Sequence, residues 1–189
     1  MQTNFLTSTR KQFEYYKMLG DKTFANLSEE NIHWQYNEQS NSIAIIVNHI
    51  TGNMLSRWTD FLHSDGEKDW RNRDQEFESI IKTKEELLRR WEEGWACLFK
   101  ALDSVNENNF DQLVYIRNIG HTIVEAVNRQ LAHYAYHIGQ IVSIAKMIKG
   151  EEWQSLSIAK GASKEYNKKK FEQEQKRGHF TDEFLEDKT

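Results

Sequence analysis

No proline interrupts this chain anywhere along its 189 residues, and that absence narrows the folds open to it. Proline breaks helix interiors, so a chain without it agrees with long, uninterrupted helices. Four segments carry apolar residues at intervals of three and four, the spacing of an amphipathic helix. They span about residues 4–26, 42–63, 83–102 and 123–149. We therefore predict an all-α protein, a four-helix bundle with long connections between its helices.

Capping signals mark the starts of three of these helices. Ser42 precedes the second helix, and its hydroxyl suits an N-cap. Thr83 with Glu86, and Thr122 with Glu125, have the form of capping boxes before the third and fourth helices. These signals fix where each helix should begin.

The remaining segments are less regular. Gly20 could loosen the middle of the first helix. Two polar connections, at about 64–82 and 106–120, are long, so the sequence does not determine whether successive helices run simply up and down. The second contains a piece that could be extended, Leu113–Ile116, but no strand pair is evident.

Three histidines form the main candidate site. His133 and His137 lie four residues apart on the fourth helix, so both imidazoles leave it on one side, at the border of its buried stripe. His49 lies beside the buried stripe of the second helix. Imidazoles from two facing helices in a bundle are a common way to hold a metal ion. The pattern predicts a divalent-metal site formed by His49, His133 and His137.

The chemistry of such a site is open at this stage. Zinc and nickel both suit imidazole, and three protein ligands leave positions free for water or substrate. Tyr134 stands where the glutamate of an H-E-x-x-H motif would be, so a zinc-protease interpretation is weak. Glu125 or Gln130 could support the ligands, and Gln140 is placed near the mouth.

Other reactive residues have ordinary interpretations. Cys97 lies between aromatic residues on a helix, where a small buried thiol is more common than a nucleophile. Four further histidines are expected in surface, loop or capping positions: His33, His63, His121 and His179. Aromatic walls for the site could come from Tyr134, Trp58 or Trp91.

Composition excludes several classes of function. The net charge of -4 is too small to imply a nucleic-acid partner. The chain start lacks a signal peptide and no run of eighteen apolar residues exists, so secretion and membrane association are not expected. The single cysteine excludes an intrachain disulfide and fits a reducing compartment, so we expect a cytoplasmic protein. Glycine-rich phosphate loops, a serine elbow and paired carboxylates are absent from the sequence.

The motif around the histidines resembles a known family. Leu131-x-His133-x-x-x-His137-x-Gly139-Gln140-Ile141, followed by Gly150 and preceded on an earlier helix by Asn48-His49, is similar to the DinB-like (DinB/YfiT) metalloenzyme superfamily. The resemblance covers roughly residues 3–153. A run from Trp153 to Ser163 is similar to an uncharacterised subgroup with a C-terminal extension.

That resemblance implies a four-helix bundle of the DinB/YfiT type that forms a homodimer. It implies a divalent metal ion held by three histidines, which map to His49, His133 and His137. Several relatives are S-transferases or isomerases that use a low-molecular-weight thiol as co-substrate. The abundance of tryptophan, including Trp70, Trp91 and Trp95, also suggests an aromatic dimer surface.

We therefore expect a metal-dependent enzyme, a bacillithiol-type S-transferase acting on a small-molecule substrate. The alternatives are a non-catalytic metal-binding or stress-related dimer, and a metal-dependent hydrolase. Residues 1–160 should form the bundle and 161–189 a charged, partly mobile tail. Within the tail, Phe180, Phe184 and Leu185 form a candidate docking segment.

Overall fold

A computed structural model of the chain describes residues 2–185. Helices make up 60% of the structure and strands 4%, so the all-α prediction is confirmed. The helices and strands, in chain order, are α1 (Gln2–Ala25), α2 (Glu29–Ile32), α3 (Ile43–Trp58), α4 (Lys84–Asp103), β1 (Leu113–Ile116), β2 (Ile119–Thr122), α5 (Ile123–Lys149), α6 (Ser163–Phe171) and α7 (Asp182–Leu185). Short 3-10 helices lie at Asp74–Phe77 and Gly150–Glu152.

All three predicted N-cap hydroxyls are present, but one of the two predicted capping boxes is incomplete. The hydroxyl of Ser42 accepts a hydrogen bond from the N–H of Ile45 and begins α3. Thr83 caps α4 in the same way, but the Glu86 carboxylate accepts from the N–H of Lys82 instead of that of Thr83. Thr122 and Glu125 form a full capping box at α5. Each satisfies backbone N–H groups that the first turn of a helix leaves unpaired.

The core lies between the long helices: α1 packs on α5 and α4, and α3 packs on α4 and α5. Trp91 and Trp95 are 1% and 0% exposed and belong to this core. The suggestion that Trp91 and Trp95 form part of an aromatic dimer surface is therefore wrong. Trp70, by contrast, is 60% exposed.

Gly20 allows α1 and α4 to approach closely. A Cβ added at Gly20 would lie 2.3 Å from Cζ2 of Trp91. The glycine lets the indole ring pack directly against α1, and the tight contact outweighs the weak helix propensity of glycine. α1 continues without interruption through this position, so the expected loosening does not occur.

α3 ends at Trp58, earlier than the predicted end at about residue 63. Thr59 adopts an extended conformation with ψ of 126°. Asp60 then takes a φ of 48°, in the left-handed region. The turn lets Phe61 fold back so that its ring centroid lies 4.8 Å from that of Trp58. Burial of this aromatic pair favours the turn over another helical turn.

The prediction that the chain has no strand pair was wrong. β1 and β2 form an antiparallel hairpin in which Leu113 pairs with Thr122 and Ile116 with Ile119. Only β1 alternates between exposed and buried positions. β2 is almost entirely exposed, so its apolar and polar residues do not alternate. The alternation that predicts a strand is therefore missing from its sequence.

The C-terminal segment lies against α1. Tyr15 contacts Phe180 and Phe184, with ring centroids 5.7 and 5.3 Å away. Lys11 forms an ion pair of 2.5 Å with Asp182. The predicted docking contacts of the two phenylalanines are therefore present, while the division into domains at residue 160 stays a prediction. Within residues 2–185, no helix is both long and apolar enough to cross a membrane.

Candidate metal centre

Two packed helices bring the three predicted histidines together. His49 extends from α3, and His133 and His137 extend from successive turns of α5. The Nε2 atom of His133 lies 3.3 Å from Nε2 of His49 and 3.1 Å from Nε2 of His137. His49 is 4% exposed and His137 is 9% exposed. The three nitrogens therefore converge at a buried point.

The separation of these atoms suits a metal ion. One candidate ligand atom from each of His49, His133 and His137 lies within 4.8 Å of the others, so the group could hold an ion. Imidazoles bound about 2.1 Å from one ion place neighbouring nitrogens about 3.0–3.4 Å apart in tetrahedral or octahedral geometry. Both measured separations fall in that range.

Hydrogen bonds at the opposite ring nitrogens orient two of the imidazoles. His49 donates from Nδ1 to Oε2 of Glu76 at 2.9 Å. His137 donates from Nδ1 to Oε1 of Gln140 at 2.8 Å. Because Nδ1 carries the proton in both rings, each Nε2 presents a lone pair to the centre. Nδ1 of His133 is buried and has no hydrogen-bond partner within residues 2–185.

Glu76 is the supporting residue that the sequence reasoning missed. It lies on the 3-10 helix Asp74–Phe77, inside a segment expected to be plain loop. Arg71 donates to both of its oxygens, at 2.7 and 2.9 Å. Burial raises the pKa of Glu76, but the hydrogen bonds from His49 and Arg71 outweigh it and leave that pKa below its usual value. Glu76 is therefore a carboxylate at neutral pH.

Two residues of α3 make room for Glu76 and hold it in place. The side-chain amide of Asn48 donates to the backbone carbonyls of Gln75 and Glu76, at 3.2 and 3.0 Å. A Cβ added at Gly52 would lie 2.5 Å from Oε1 of Glu76. A glycine inside a helix, one turn beyond His49, was the available signal that another side chain approaches there.

Burial keeps the two candidate ligands of α5, His133 and His137, neutral. It lowers the pKa of His133 from 6.5 to about 3, with further lowering from His137, His49 and nearby arginines. Burial likewise lowers the pKa of His137 to about 4, against the opposing effect of its bond to Gln140. Neutral imidazole is the form that binds metal ions, so both rings are ready ligands at neutral pH.

The aromatic wall differs from the expected one. Phe77 stacks on His49 with ring centroids 4.6 Å apart. Tyr134 is instead buried in the core, where its hydroxyl donates to Asn53 at 2.9 Å and accepts from Trp58 at 3.0 Å. Trp91 is buried in the core and donates from its indole nitrogen to Asp21 at 2.7 Å. Of the three suggested aromatics, Tyr134 does contact the site, since its ring centroid lies 5.5 Å from that of His133. Trp58 and Trp91 are not among the described residues that line the cavity.

The site opens into a polar cavity of about 190 Å³. Its described lining consists of histidines, amides and arginines: His49, Asn53, Arg57, Arg71, Arg73, Arg117, Arg129, Gln130 and His133. A closed structural metal site has no such opening. The cavity gives a small molecule access to the histidines.

Other candidate residues have separate roles. Glu125, suggested as a support for the ligands, caps α5 through Thr122 instead. Cys97 lies in a different cavity, where its sulfur is 3.6 Å from Oγ1 of Thr59, and burial raises the pKa of its thiol. A high thiol pKa opposes a role as nucleophile. His33, His63, His121 and His179 are outside the three-histidine group.

A family model described as "Protein of unknown function (DUF1572)" matches residues 1–162, so the chain belongs to that family. No curated protein matches the chain, and no solved structure matches it. The family description names no activity. The function therefore has to be argued from the three histidines, their hydrogen bonds and the cavity beside them.

Proposed function

We propose that this member of the DUF1572 family binds one divalent metal ion through His49, His133 and His137, and that it is a metal-dependent enzyme. The observation that carries the proposal is the convergence of three Nε2 atoms, separated by 3.3 and 3.1 Å from His133 to its two neighbours. Glu76 and Gln140 hold two of the rings with their lone pairs inward. Zinc and nickel are the ions that suit three neutral imidazoles.

The reaction we propose is S-transfer from a low-molecular-weight thiol of the bacillithiol type. A divalent ion so held supplies Lewis acidity that favours a deprotonated thiol or water at neutral pH. Among the described residues, no carboxylate lines the cavity, so the chain offers no free Asp or Glu as a general base there. Cys97 is in another cavity. A nucleophile that a small molecule brings, and that needs no protein base, fits this arrangement.

The chain's own residues position the site. Glu76 fixes the tautomer and orientation of His49, and Arg71 fixes Glu76 through two hydrogen bonds. Gln140 does the same for His137, and itself donates to the hydroxyl of Tyr136 at 3.1 Å. Phe77 covers one face of the His49 ring and limits the water that reaches it.

We also propose that the family belongs to the DinB-like superfamily. The motif of His133, His137, Gly139 and Gln140 supports this assignment, together with the mainly helical architecture and the earlier helix that carries His49. The homodimer is a proposal that now rests on this resemblance, because two of the tryptophans that motivated it are buried within one chain. Sedimentation that gives only monomer at tens of micromolar protein would remove it.

Metal titration of protein purified without a polyhistidine tag tests the binding proposal. Wild type should bind one zinc or nickel ion per chain, and His137→Ala should lower the affinity steeply because two imidazoles make a poor site. His63→Ala is the matched control, since His63 is exposed and outside the group. Equal affinity in His137→Ala and His63→Ala would contradict the proposal.

A thiol-transfer assay tests the enzymatic proposal. Metal-loaded protein should join a low-molecular-weight thiol to a generic electrophile such as a chlorodinitrobenzene compound, with the carbon–chlorine bond broken, chloride released and the thiol proton passed to solvent. Cys97→Ser should keep that activity and His133→Ala should lose it. Hydrolysis without any thiol would favour the hydrolase alternative. Metal binding without either activity would favour the non-catalytic alternative.

A further inference from the structure

Arginines dominate the cavity beside the histidines. Five of them border it, from α3, the connection after α3, the hairpin tip and α5: Arg57, Arg71, Arg73, Arg117 and Arg129. Such a concentration is unusual in a chain whose net charge is -4. Guanidinium groups repel one another, so their assembly around one small space has to be offset by neighbouring anions.

The carboxylates around the cavity offset only part of this charge. Glu67 pairs with Arg57 and Arg71, at 2.9 and 3.1 Å, and with Arg117 at 3.3 Å. Glu76 pairs with Arg71 at 2.7 Å and also serves His49. Both carboxylates are thus shared among several cations. The carboxylate of Asp65 also lies close, at the backbone of Arg117. Three carboxylates therefore face five arginines, and an excess of positive charge remains at the cavity.

Two of the five arginines have no acidic partner among the described residues. Arg73 lies over the ring of Phe77, with its guanidinium carbon 5.2 Å from the centroid. Arg129 lies 3.5 Å from the Nε2 atom of His121. Within residues 2–185, neither guanidinium forms a salt bridge with a carboxylate, and both side chains are exposed at the cavity. They are free to bind an anion that enters from solvent.

Among the described residues, three of the five buried side-chain atoms without a hydrogen-bond partner belong to residues that line the same cavity. Nε of Arg57, Oε1 of Gln130 and Nδ1 of His133 are buried without a hydrogen-bond partner among the described residues, and all three residues line the cavity. Arg57 is 5% exposed and Gln130 is 3% exposed. Buried polar atoms in folded proteins are nearly always hydrogen-bonded, so these atoms point to a polar ligand. Nε of Arg57 is a donor that suits an oxyanion, whereas Oε1 of Gln130 only accepts and suits a donor group elsewhere on the same ligand.

The hairpin tip is built to hold Arg117 at this place. Arg117 and Asn118 adopt φ angles of 54° and 59°. Asparagine tolerates this left-handed region, but an arginine adopts it only rarely. The carboxylate of Asp65 accepts both of their N–H groups at 2.8 Å and stabilises the turn. Gly66 adds a backbone bond of 2.8 Å to Tyr115. The tip is therefore fixed to the connection that also carries Arg71 and Arg73.

We propose that this cavity binds the oxyanion group, a carboxylate or a phosphate, of a small-molecule substrate whose reactive part reaches the three histidines. The planar guanidinium matches both kinds of oxyanion with paired hydrogen bonds. A cavity of about 190 Å³ admits a substituent of a small molecule and not a macromolecule. The inference names the substrate class of the proposed enzyme and rests on that proposed function.

The test is calorimetric binding of inorganic phosphate and of succinate to the metal-free 189-residue chain at constant ionic strength, with succinamide as the neutral analogue of succinate. Arg73→Gln/Arg129→Gln removes the two unpaired guanidiniums. Arg89→Gln/Arg177→Gln removes the same charge from positions outside the cavity, on α4 and in the C-terminal segment. All four side chains are exposed, so both variants should fold.

Wild type and the control double variant should bind at least one of the two anions and not succinamide, and the cavity variant should bind roughly tenfold more weakly or worse, since charge-assisted hydrogen bonds are lost. The preferred anion identifies the group as carboxylate or phosphate. Equal weakening in both double variants, or no binding of either anion to wild type at tens of millimolar, would overturn the inference.

Zinc titration without added anion separates this inference from the proposed function. Zinc affinity in Arg73→Gln/Arg129→Gln should equal or slightly exceed that of wild type, because nearby positive charge is removed. Zinc binding without anion binding would defeat only the oxyanion site. Anion binding by a wild type that takes up no zinc would defeat the metal centre and leave an anion-binding cavity.

Discussion

Adjacent residues of α5, His133 and Tyr134, belong to two polar groups that differ in one respect. The hydroxyl of Tyr134 both donates to Asn53 and accepts from Trp58, so that buried network is satisfied by the protein alone. In the histidine group, three ring nitrogens converge, and Nδ1 of His133 has no hydrogen-bond partner among the described residues. A satisfied buried network stabilises a fold, whereas an unsatisfied one that faces a cavity indicates a ligand.

The largest expected effect is on zinc affinity, and it separates the histidine group from the Tyr134 network. His133→Ala should weaken zinc affinity by more than about 100-fold, since even residues that support a ligand are worth about 10–100-fold. Tyr134→Phe should leave that affinity unchanged. It should instead lower the free energy of unfolding by about 1–2 kcal/mol, because Asn53 and Trp58 lose a buried partner. Zinc titration and urea unfolding of both variants measure the two effects. Comparable loss of zinc affinity in both would show that the networks are one unit.

A smaller effect is expected from two helix glycines. The Cβ of Gly52→Ala would overlap Oε1 of Glu76, whereas Gly139→Ala has no atom within 4 Å of the added carbon. Gly52→Ala should therefore displace Glu76 and reduce zinc affinity by about 10–100-fold. Gly139→Ala should keep zinc affinity and gain about 0.5–1 kcal/mol of stability through helix propensity. If Gly52→Ala binds zinc as tightly as Gly139→Ala, the support from Glu76 is not needed.

The smallest expected effect is the change in stability of the metal-free protein between pH 7 and pH 5. Because the pKa values of His133 and His137 are lowered to about 3 and about 4, these rings stay neutral in the folded chain where unfolded histidine, near 6.5, takes up a proton. The unfolded state then binds more protons, so these rings destabilise the fold as the pH drops below about 6.5. Urea midpoints at pH 7 and pH 5 should differ less in the double variant His133→Ala/His137→Ala than in wild type. Equal shifts would mean that these histidines titrate normally.

Much of the fold followed from local patterns in the sequence. The four long helices and their caps at Ser42, Thr83 and Thr122 were all predictable, because helix periodicity and capping depend on neighbouring residues. The hairpin was not, since β2 is exposed on both faces and shows no alternation. The early end of α3 depends on Phe61 packing back against Trp58, a contact that no short-range pattern reveals.

The candidate site divides in the same way. His133 and His137 could be paired from their spacing alone, and His49 joined them from the burial pattern of its helix. The contact of Glu76 with His49 could not be predicted, because Glu76 lies in a polar connection and only the fold brings it to His49. The arginines of the cavity come from four separate stretches of the chain, so nothing in the linear sequence placed them together.

Nitrogen-15 NMR of the histidine rings during zinc titration tests the metal centre most directly. In the metal-free protein, His49 and His137 should carry the proton on Nδ1, and His133 on Nε2, because two inward lone pairs require a donor between them. One equivalent of zinc should shift all three Nε2 signals and leave His133 protonated only on Nδ1. Saturation at one equivalent with this tautomer change in His133 is the result the three-histidine site predicts. Zinc that shifts other histidines, or that leaves Nε2 of His133 protonated, would contradict it.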